Sequence, residues 1–479
     1  MMQFSALALA ALMAASAFAF AAEPDGGHPP APEIGPEAAT GLGIQRPMTL
    51  MATSTAEKRH TVKVLFYGQS ITQQDWWKEV ARDLRDRFPD ADLIIENRSI
   101  GGFASQMLVR TAESDLYPFY PDLLIFHVFG AHNTYEDIIR RTRERTTAQV
   151  AIWNDHVNWL PSGDPEKDAP RMKGYEWGQW MSTEFIPGVC DRYGCYLMDI
   201  RTPWAEYLQA NELEPSALLR DGVHLNEWGN FLLAELIKPF LVYRPELPGT
   251  EWRDLVRDAE VGEDVRWQDG RLTLEFQGNR VDLISGRRPG QESGTARILI
   301  DGRRPSEFPE LYVPERVSGT PNIGWPAIKR VGIAAPLVLE TWTARVLEIN
   351  DAADEFTFEI EGSVTGPDGK GSSKERFVSD SGRVVIEPED WSLDYDRRVS
   401  KKPVPAGFEC RWRVLPLFVD VYEPPTIDDP SLEYATTVAQ GLSNGPHKLE
   451  LVSATGQPIP VRAIRVFEPP VKAASEGAQ

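Results

Sequence analysis

Three residues in this chain have the types and spacing to perform acyl transfer. Asp221 and His224 stand three apart in RDGVHLNEWGNFLLAEL, at the mouth of a helical pattern, and Ser70 follows the apolar run VKVLFY through Gly68 and Gln69. A serine hydroxyl is a poor nucleophile near neutral pH until a base removes its proton, and an imidazole base needs an acid to fix its tautomer. Sequence proximity preassembles the acid and the base. Each residue also has a plainer reading: Ser70 as the cap of a following helix, the pair as a surface carboxylate beside a helix-start histidine.

Positioning such residues is the work of the elements around them. From about 60 to 245, short apolar runs alternate with helical patterns. VKVLFY (62–67), DLIIEN (92–97), DLLIFHVF (122–129), AQVAIWN (148–154) and CYLMDI (195–200) read as buried strands. Between the first two, Trp77, Val80, Ala81, Leu84 and Phe88 fall at helical spacing on one face. Strand–helix alternation implies a parallel sheet covered on both faces, with ligands bound beyond the carboxyl ends of its strands. Ser70 falls at such an end, ahead of a helix expected to begin near Asp75.

After the second strand comes Asn97-Arg98-Ser99-Ile100-Gly101-Gly102. Glycine there lets the backbone approach a substrate closely and donate an N–H to a developing oxyanion; the alternative is simply a tight turn. The third strand runs into Phe129-Gly130-Ala131-His132-Asn133. The Asn133 amide is either a further donor or the N-cap of the helix in TYEDIIRR.

Taken together, GQS at Ser70, the Gly-Gly at 101–102, Asn133, and DGVH with Asp221 and His224 resemble the four blocks of the SGNH (GDSL-type) hydrolases over roughly residues 60–245. The resemblance implies a flavodoxin-like, three-layer α/β/α domain and esterase, lipase or carbohydrate deacetylase activity. Carried over, it makes Ser70 the nucleophile, His224 the general base and Asp221 its orienting acid. The oxyanion hole it implies is formed by the N–H groups of Ser70 and Gly102 and the Asn133 amide; the family's glycine follows an Ile-small pair, which selects Gly102 over Gly101. Two departures stand out. Gln69 replaces the usual acid before the nucleophile, and the G-x-N-D block reads GAHN-T, with an extra residue after Gly130 and no following Asp. That insertion displaces Asn133 and brings His132 forward as an alternative. The GxSxG elbow of α/β-hydrolases does not fit, because Thr72 stands where its second glycine belongs.

The rest of the chain bounds the context. Residues 1–22 are apolar and Ala-rich with small residues before Glu23, as in a cleaved secretory signal, so a secreted or periplasmic location is expected. A membrane anchor is the competing reading of the same run. No later segment is apolar enough to span a bilayer. Residues 23–58, rich in Pro, Gly and Ala, read as a flexible leader, and 59–245 as the hydrolase domain. From 246 to 470 helical periodicity gives way to short alternating runs such as RLTLEF, ARILIDG, FTFEIEG and VRAIRVFE, predicting a second, all-β sandwich domain. Parts of it look similar to galactose-binding-like modules, which implies either carbohydrate binding or a spacer. Residues 471–479 read as a disordered tail.

A net charge of −21 and a pI near 4.9 argue against nucleic-acid or anionic-membrane partners. Cys190 and Cys195 have two readings, a bridge or reduced buried thiols. Seven scattered histidines without HExxH or paired CxxC spacing give no case for a metal or other cofactor. Trp153, Trp159, Trp177 and Trp180 fall in one polar, Pro-containing stretch. Trp153 and Trp177, with His132, are candidate substrate contacts through stacking on sugar faces, against the alternative of core packing. The expected function is an exported serine esterase that removes O-acetyl groups from a carbohydrate. Its competitors are an acyltransferase on the same site and a non-catalytic carbohydrate-binding protein on an esterase scaffold.

Overall fold

The computed structural model describes residues 27–247, 254–334, 337–454 and 456–472, so the expected signal at 1–22 and most of the expected tail lie outside the described residues. The five apolar runs form strands β1 (Thr61–Gly68), β2 (Asp92–Asn97), β3 (Leu123–His127), β4 (Gln149–Trp153) and β5 (Tyr196–Met198). All pair in parallel, in the spatial order β2-β1-β3-β4-β5. That is the flavodoxin-like order of an open doubly wound sheet.

Alternate side chains along each strand feed two separate cores. Val62, Val64 and Phe66 join one, while Leu65 and Tyr67 join the other. Helices α1 (Gln45–Ala52), α3 (Trp76–Arg87), α8 (Arg201–Ala210) and α9 (Glu227–Ile237) supply Met48, Val80, Trp204 and Leu233 to the first. Helices α4 (Ser105–Asp115), α5 (His132–Arg145) and α7 (Ile186–Tyr193) supply Leu108, Ile138 and Val189 to the second. A strand buried on both faces is apolar along nearly its whole length, which is why these runs read as they do. The run DLIIEN departs from that reading. As β2 it lies at the sheet edge with β1 its one neighbour, and Ile94 is 40 % exposed.

Two expectations are corrected. The stretch read as a flexible leader contains α1, whose Met48 and Met51 are buried in the first core together with Ile44 just ahead of the helix. Their i, i+4, i+7 spacing is helical, and the Pro/Gly-rich context hides it. The region read as one β-sandwich holds two units with separate cores. One sheet has the order β17-β8-β18-β7-β19-β6 and is built from β6 (Val256–Glu260), β7 (Arg271–Ser285), β8 (Ala296–Ile300), β17 (Val421–Tyr422), β18 (Ala435–Ser453) and β19 (Val461–Phe467). Inserted between β8 and β17 is a second antiparallel sheet, whose order β10-β16-β11-β12-β13 comprises β10 (Ser318–Thr320), β11 (Thr341–Ile349), β12 (Phe356–Gly362), β13 (Gly366–Ser372) and β16 (Glu409–Pro416). Trp342, Phe358 and Trp412 fill the core of the insert, and Leu272, Ile298 and Leu449 that of its host. Alternation marks the buried face of a strand but not the sheet it joins.

Both β units dock on the α/β layer. Arg316 of the insert donates to both carboxylate oxygens of buried Asp115 on α4, at 2.8 and 2.7 Å, and Arg110 of α4 reaches back to Asp390 at 2.7 Å. From the host sheet, Gln440 donates to the Pro118 carbonyl at 2.9 Å. Cys190 and Cys195 are free thiols, pushed up in pKa chiefly by burial, so the bridge is not formed. Among the described residues no helix is long and apolar enough to cross a membrane.

Removing the Met48 side chain tests the packed reading of α1. Met48→Ala is expected to cost about 2–5 kcal/mol, as for other large-to-small core changes, read as a lower urea midpoint. An unchanged midpoint would restore the flexible leader.

Candidate active site

Ser70 begins a one-turn helix, α2 (Ser70–Gln73), immediately after β1, and the longer α3 starts only at Trp76. The turn between strand and helix is tight. A Cβ on Gly68 would lie 2.1 Å from the His127 carbonyl oxygen and 2.3 Å from Thr72 Oγ1, so only glycine fits. Thr72, which breaks the GxSxG pattern, donates its hydroxyl to that same carbonyl at 3.2 Å.

Asp221 and His224 sit in a closed loop ahead of α9. Leu219 and Leu225 pair across its base, Arg220 N–H bonds the His224 carbonyl at 2.9 Å, and Gly222 turns the chain at φ +79°. The Asp221 carboxylate accepts from the His224 backbone N–H at 2.8 Å and faces His224 Nδ1 at 2.8 Å. Those bonds, the backbone one foremost, hold the Asp221 carboxyl down at about 2. The other ring nitrogen, Nε2, lies 2.9 Å from Ser70 Oγ. An imidazole held in this way by a carboxylate can take a proton from a hydroxyl and return it to a leaving group.

Neighbours without a local sequence pattern anchor that loop. The Gln74 side chain bonds both backbone groups of Leu225, donating to its carbonyl at 2.7 Å and accepting its N–H at 3.0 Å. His156, just past β4, meets the Val223 carbonyl through Nε2 at 3.0 Å. A carbonyl only accepts, so Nε2 carries the hydrogen. On the far side of that ring, Asp155 lies 3.5 Å from His156 Nδ1 and 3.4 Å from His127 Nε2. Burial acts to raise the Asp155 carboxyl, but the two imidazoles outweigh it and hold it far below the usual range.

The remaining expected residues divide. Gly101 comes close to the serine: a Cβ on it would be 3.9 Å from Ser70 Cβ, and its N–H is held by Gln73 Oε1 at 3.1 Å. Gly102 follows at φ +78°, with no partner for its N–H among the described residues. Asn133 is exposed in the first turn of α5 and makes no side-chain hydrogen bond to Ser70, Asp221 or His224. It is not an N-cap either, since Ala131 holds that position. Ser105 and Gln106 of α4 tie the extra residue before it in place, Ser105 Oγ donating to the Ala131 carbonyl at 2.8 Å. His132 packs edge-on against Trp180 and Phe185, with ring centroids 5.6 and 5.5 Å away. Trp177, on α6 (Pro165–Trp180), packs against Phe129, which is 51 % exposed at the end of β3. Trp153 does not fit its expected role. It is fully buried against Trp76 and His127, a core residue that cannot stack on a sugar.

No protein-family model matches the chain, and no curated protein does. Among solved structures it is similar to a two-domain esterase active on acetylated mannans, co-crystallised with mannopentaose, at 14% identity over 90% of this chain and 97% of that one, with a TM-score of 0.34. It is also similar to an acetylxylan esterase from Geobacillus stearothermophilus (18% identity, 41% of this chain, 98% of that one, TM-score 0.31). A third is an alpha/beta hydrolase from the metagenome of Lake Arreo, Spain (19% identity, 39% and 98%, TM-score 0.32). Likenesses this remote say nothing by themselves about what the present chain acts on.

The correction at Trp153 has a measurable consequence. Trp153→Ala is expected to lower folding stability by about 3–5 kcal/mol in urea denaturation. A variant of full stability with weakened ligand binding would return Trp153 to the substrate contacts.

Proposed function

We propose that this protein is an exported serine esterase of the SGNH type that removes O-acetyl or similar short acyl groups from a carbohydrate. The observation that carries the reading is the approach of His224 Nε2 to Ser70 Oγ at 2.9 Å while Nδ1 stays on Asp221 at 2.8 Å. Ser70 Oγ attacks the acetyl carbonyl carbon as its proton passes to His224 Nε2. The N–H groups of Ser70 and Gly102, with the unengaged amide of Asn133, stabilise the charge on the former carbonyl oxygen. Collapse breaks the bond to the sugar oxygen, which leaves with the proton from His224. Water then attacks the acetyl-serine, His224 takes its proton and returns it to Ser70, and acetate departs. Asp221 keeps the imidazole in the required tautomer and stabilises its charged form.

A saccharide substrate is supported by aromatic rings that follow the carboxyl end of β3. Phe129 packs on Trp177 at 5.1 Å and His132 on Trp180 at 5.6 Å, and Phe129 and Trp180 are 51% and 36% exposed. Flat rings of this kind pack against the C–H faces of sugars, and no apolar lid is apparent in the sequence for a lipid chain.

Acetate release from a panel of acetylated polysaccharides tests the activity. Ser70→Ala is expected to lose about 10⁴-fold or more, and Asp221→Asn about 10⁴-fold through the wrong tautomer. Labelling of Ser70 by a serine-directed phosphonate is expected in the wild type; its failure would favour a binding protein on the same scaffold. Asp221, held at about 2, stays ionised as the pH falls through the ordinary carboxylate range. Protonation of Asp221 is therefore expected to leave no mark on the acid limb of kcat/KM across that range. A two-proton fall would bring Asp221 or a second base into the mechanism.

A further inference from the structure

The inserted β unit touches the candidate oxyanion loop at two consecutive carbonyls. Trp325 Nε1–H donates to the Gly101 carbonyl at 2.6 Å, and Tyr395 Oη–H donates to the Gly102 carbonyl at 3.0 Å. The two side chains pack edge to face at 5.6 Å, and Tyr395 packs in the same way on buried Phe103. We propose that Trp325 and Tyr395 are positioning residues that orient the Gly102 N–H toward the acyl oxygen. This rests on the esterase reading above.

In a trans peptide the carbonyl and the N–H point in opposite directions from one rigid plane. The carbonyl of Gly101 and the N–H of Gly102 share such a plane, so pulling the first toward Trp325 aims the second away from it. The flanking planes are pinned too. Gly101 N–H is held by Gln73, on the same short helix as Ser70, and Phe103 N–H by the Ile100 carbonyl at 3.1 Å. Tyr395 completes the set. Of the three successive N–H groups at 101–103, only that of Gly102 is left without a partner among the described residues.

A clamp is needed because two adjacent glycines sample many peptide orientations at little cost. An oxyanion donor works only if its orientation is set before the charge develops. The clamp also fixes residue choice: a Cβ on Gly102 would lie 2.0 Å from Tyr395 Oη. The insert itself is held in register by the Arg316–Asp115 and Arg110–Asp390 pairs on α4, the helix that follows the glycine turn.

The test uses Tyr395→Phe and Trp325→Phe in the full chain, assayed on a small aryl acetate and on acetylated polysaccharide. Deleting one oxyanion donor costs roughly 10²–10³ in kcat. Loosening its orientation is expected to cost roughly 10-fold or more, equally on both substrates, with KM and melting temperature little changed. Trp325→His, which restores a ring N–H, is expected to recover part of the loss. Unchanged kcat on the aryl acetate overturns the proposal. So does an effect confined to the polysaccharide KM, which would make the cleft of about 300 Å³ lined by Gln73, Gly101, Asn322 and Trp325 a sugar contact instead. Should Trp325→Phe not fold, Tyr395→Phe decides alone. Ser70→Ala on the aryl acetate keeps the two readings apart. If it is as active as wild type the esterase reading fails, whereas if it is inactive and both clamp variants are normal only the clamp fails.

Discussion

Ser70 can stand beside His224 only because β1 ends in a residue without a side chain. At Gly68 the backbone passes so close to the His127 carbonyl and to Thr72 that any Cβ would collide with both. The chain therefore leaves the sheet and enters α2 within two residues, delivering Ser70 directly beyond the strand end. From the other side, the Leu219–Leu225 loop carries Asp221 and His224 to the same edge, tied there by Gln74 and His156. Each anchor comes from a different element, and all of them converge because parallel strands end on one side of their sheet.

The two acidic groups near the site illustrate how environment divides labour. Asp221 is half exposed and is kept charged mainly by a backbone N–H, with the His224 ring held against its carboxylate. Asp155 works against burial and is kept charged by two imidazoles, one of which reaches the backbone next to His224. The first faces a ring that reaches Ser70, while the second braces a ring that holds a loop still.

How much of this was legible depended on the range of the physics involved. Strands buried on both faces are apolar along most of their length, so β1, β3 and β4 could be read directly from their runs. Asp221 and His224 declared themselves because their contact spans one turn of chain. Trp325 and Tyr395 did not, since they meet Gly101 and Gly102 from far along the chain and no periodicity encodes that meeting. Trp153 misled for the opposite reason: its polar neighbours in sequence are not its neighbours in space. Helix α1 was readable in principle from Ile44, Met48 and Met51, but prolines and glycines upstream drew attention away from that spacing.

The place of the insert in its host sheet has a further consequence. Strands β8 and β17, which bracket it, are antiparallel neighbours with Arg297 opposite Val421. Topologically the two strands are a hairpin whose connection, residues 301–420, lends Phe308, Leu311 and Phe418 to the host core and between them folds into the sheet of the insert. Between those anchored flanks the length of the connection matters little to the host sheet, because closing a longer loop costs only slowly more entropy. The segment between Leu311 and Phe418 is thus a cassette whose own sheet pairs with no strand of the host. A change confined to the insert therefore reaches the glycine turn through Trp325 and Tyr395 while the strand order of the host sheet stays as it is.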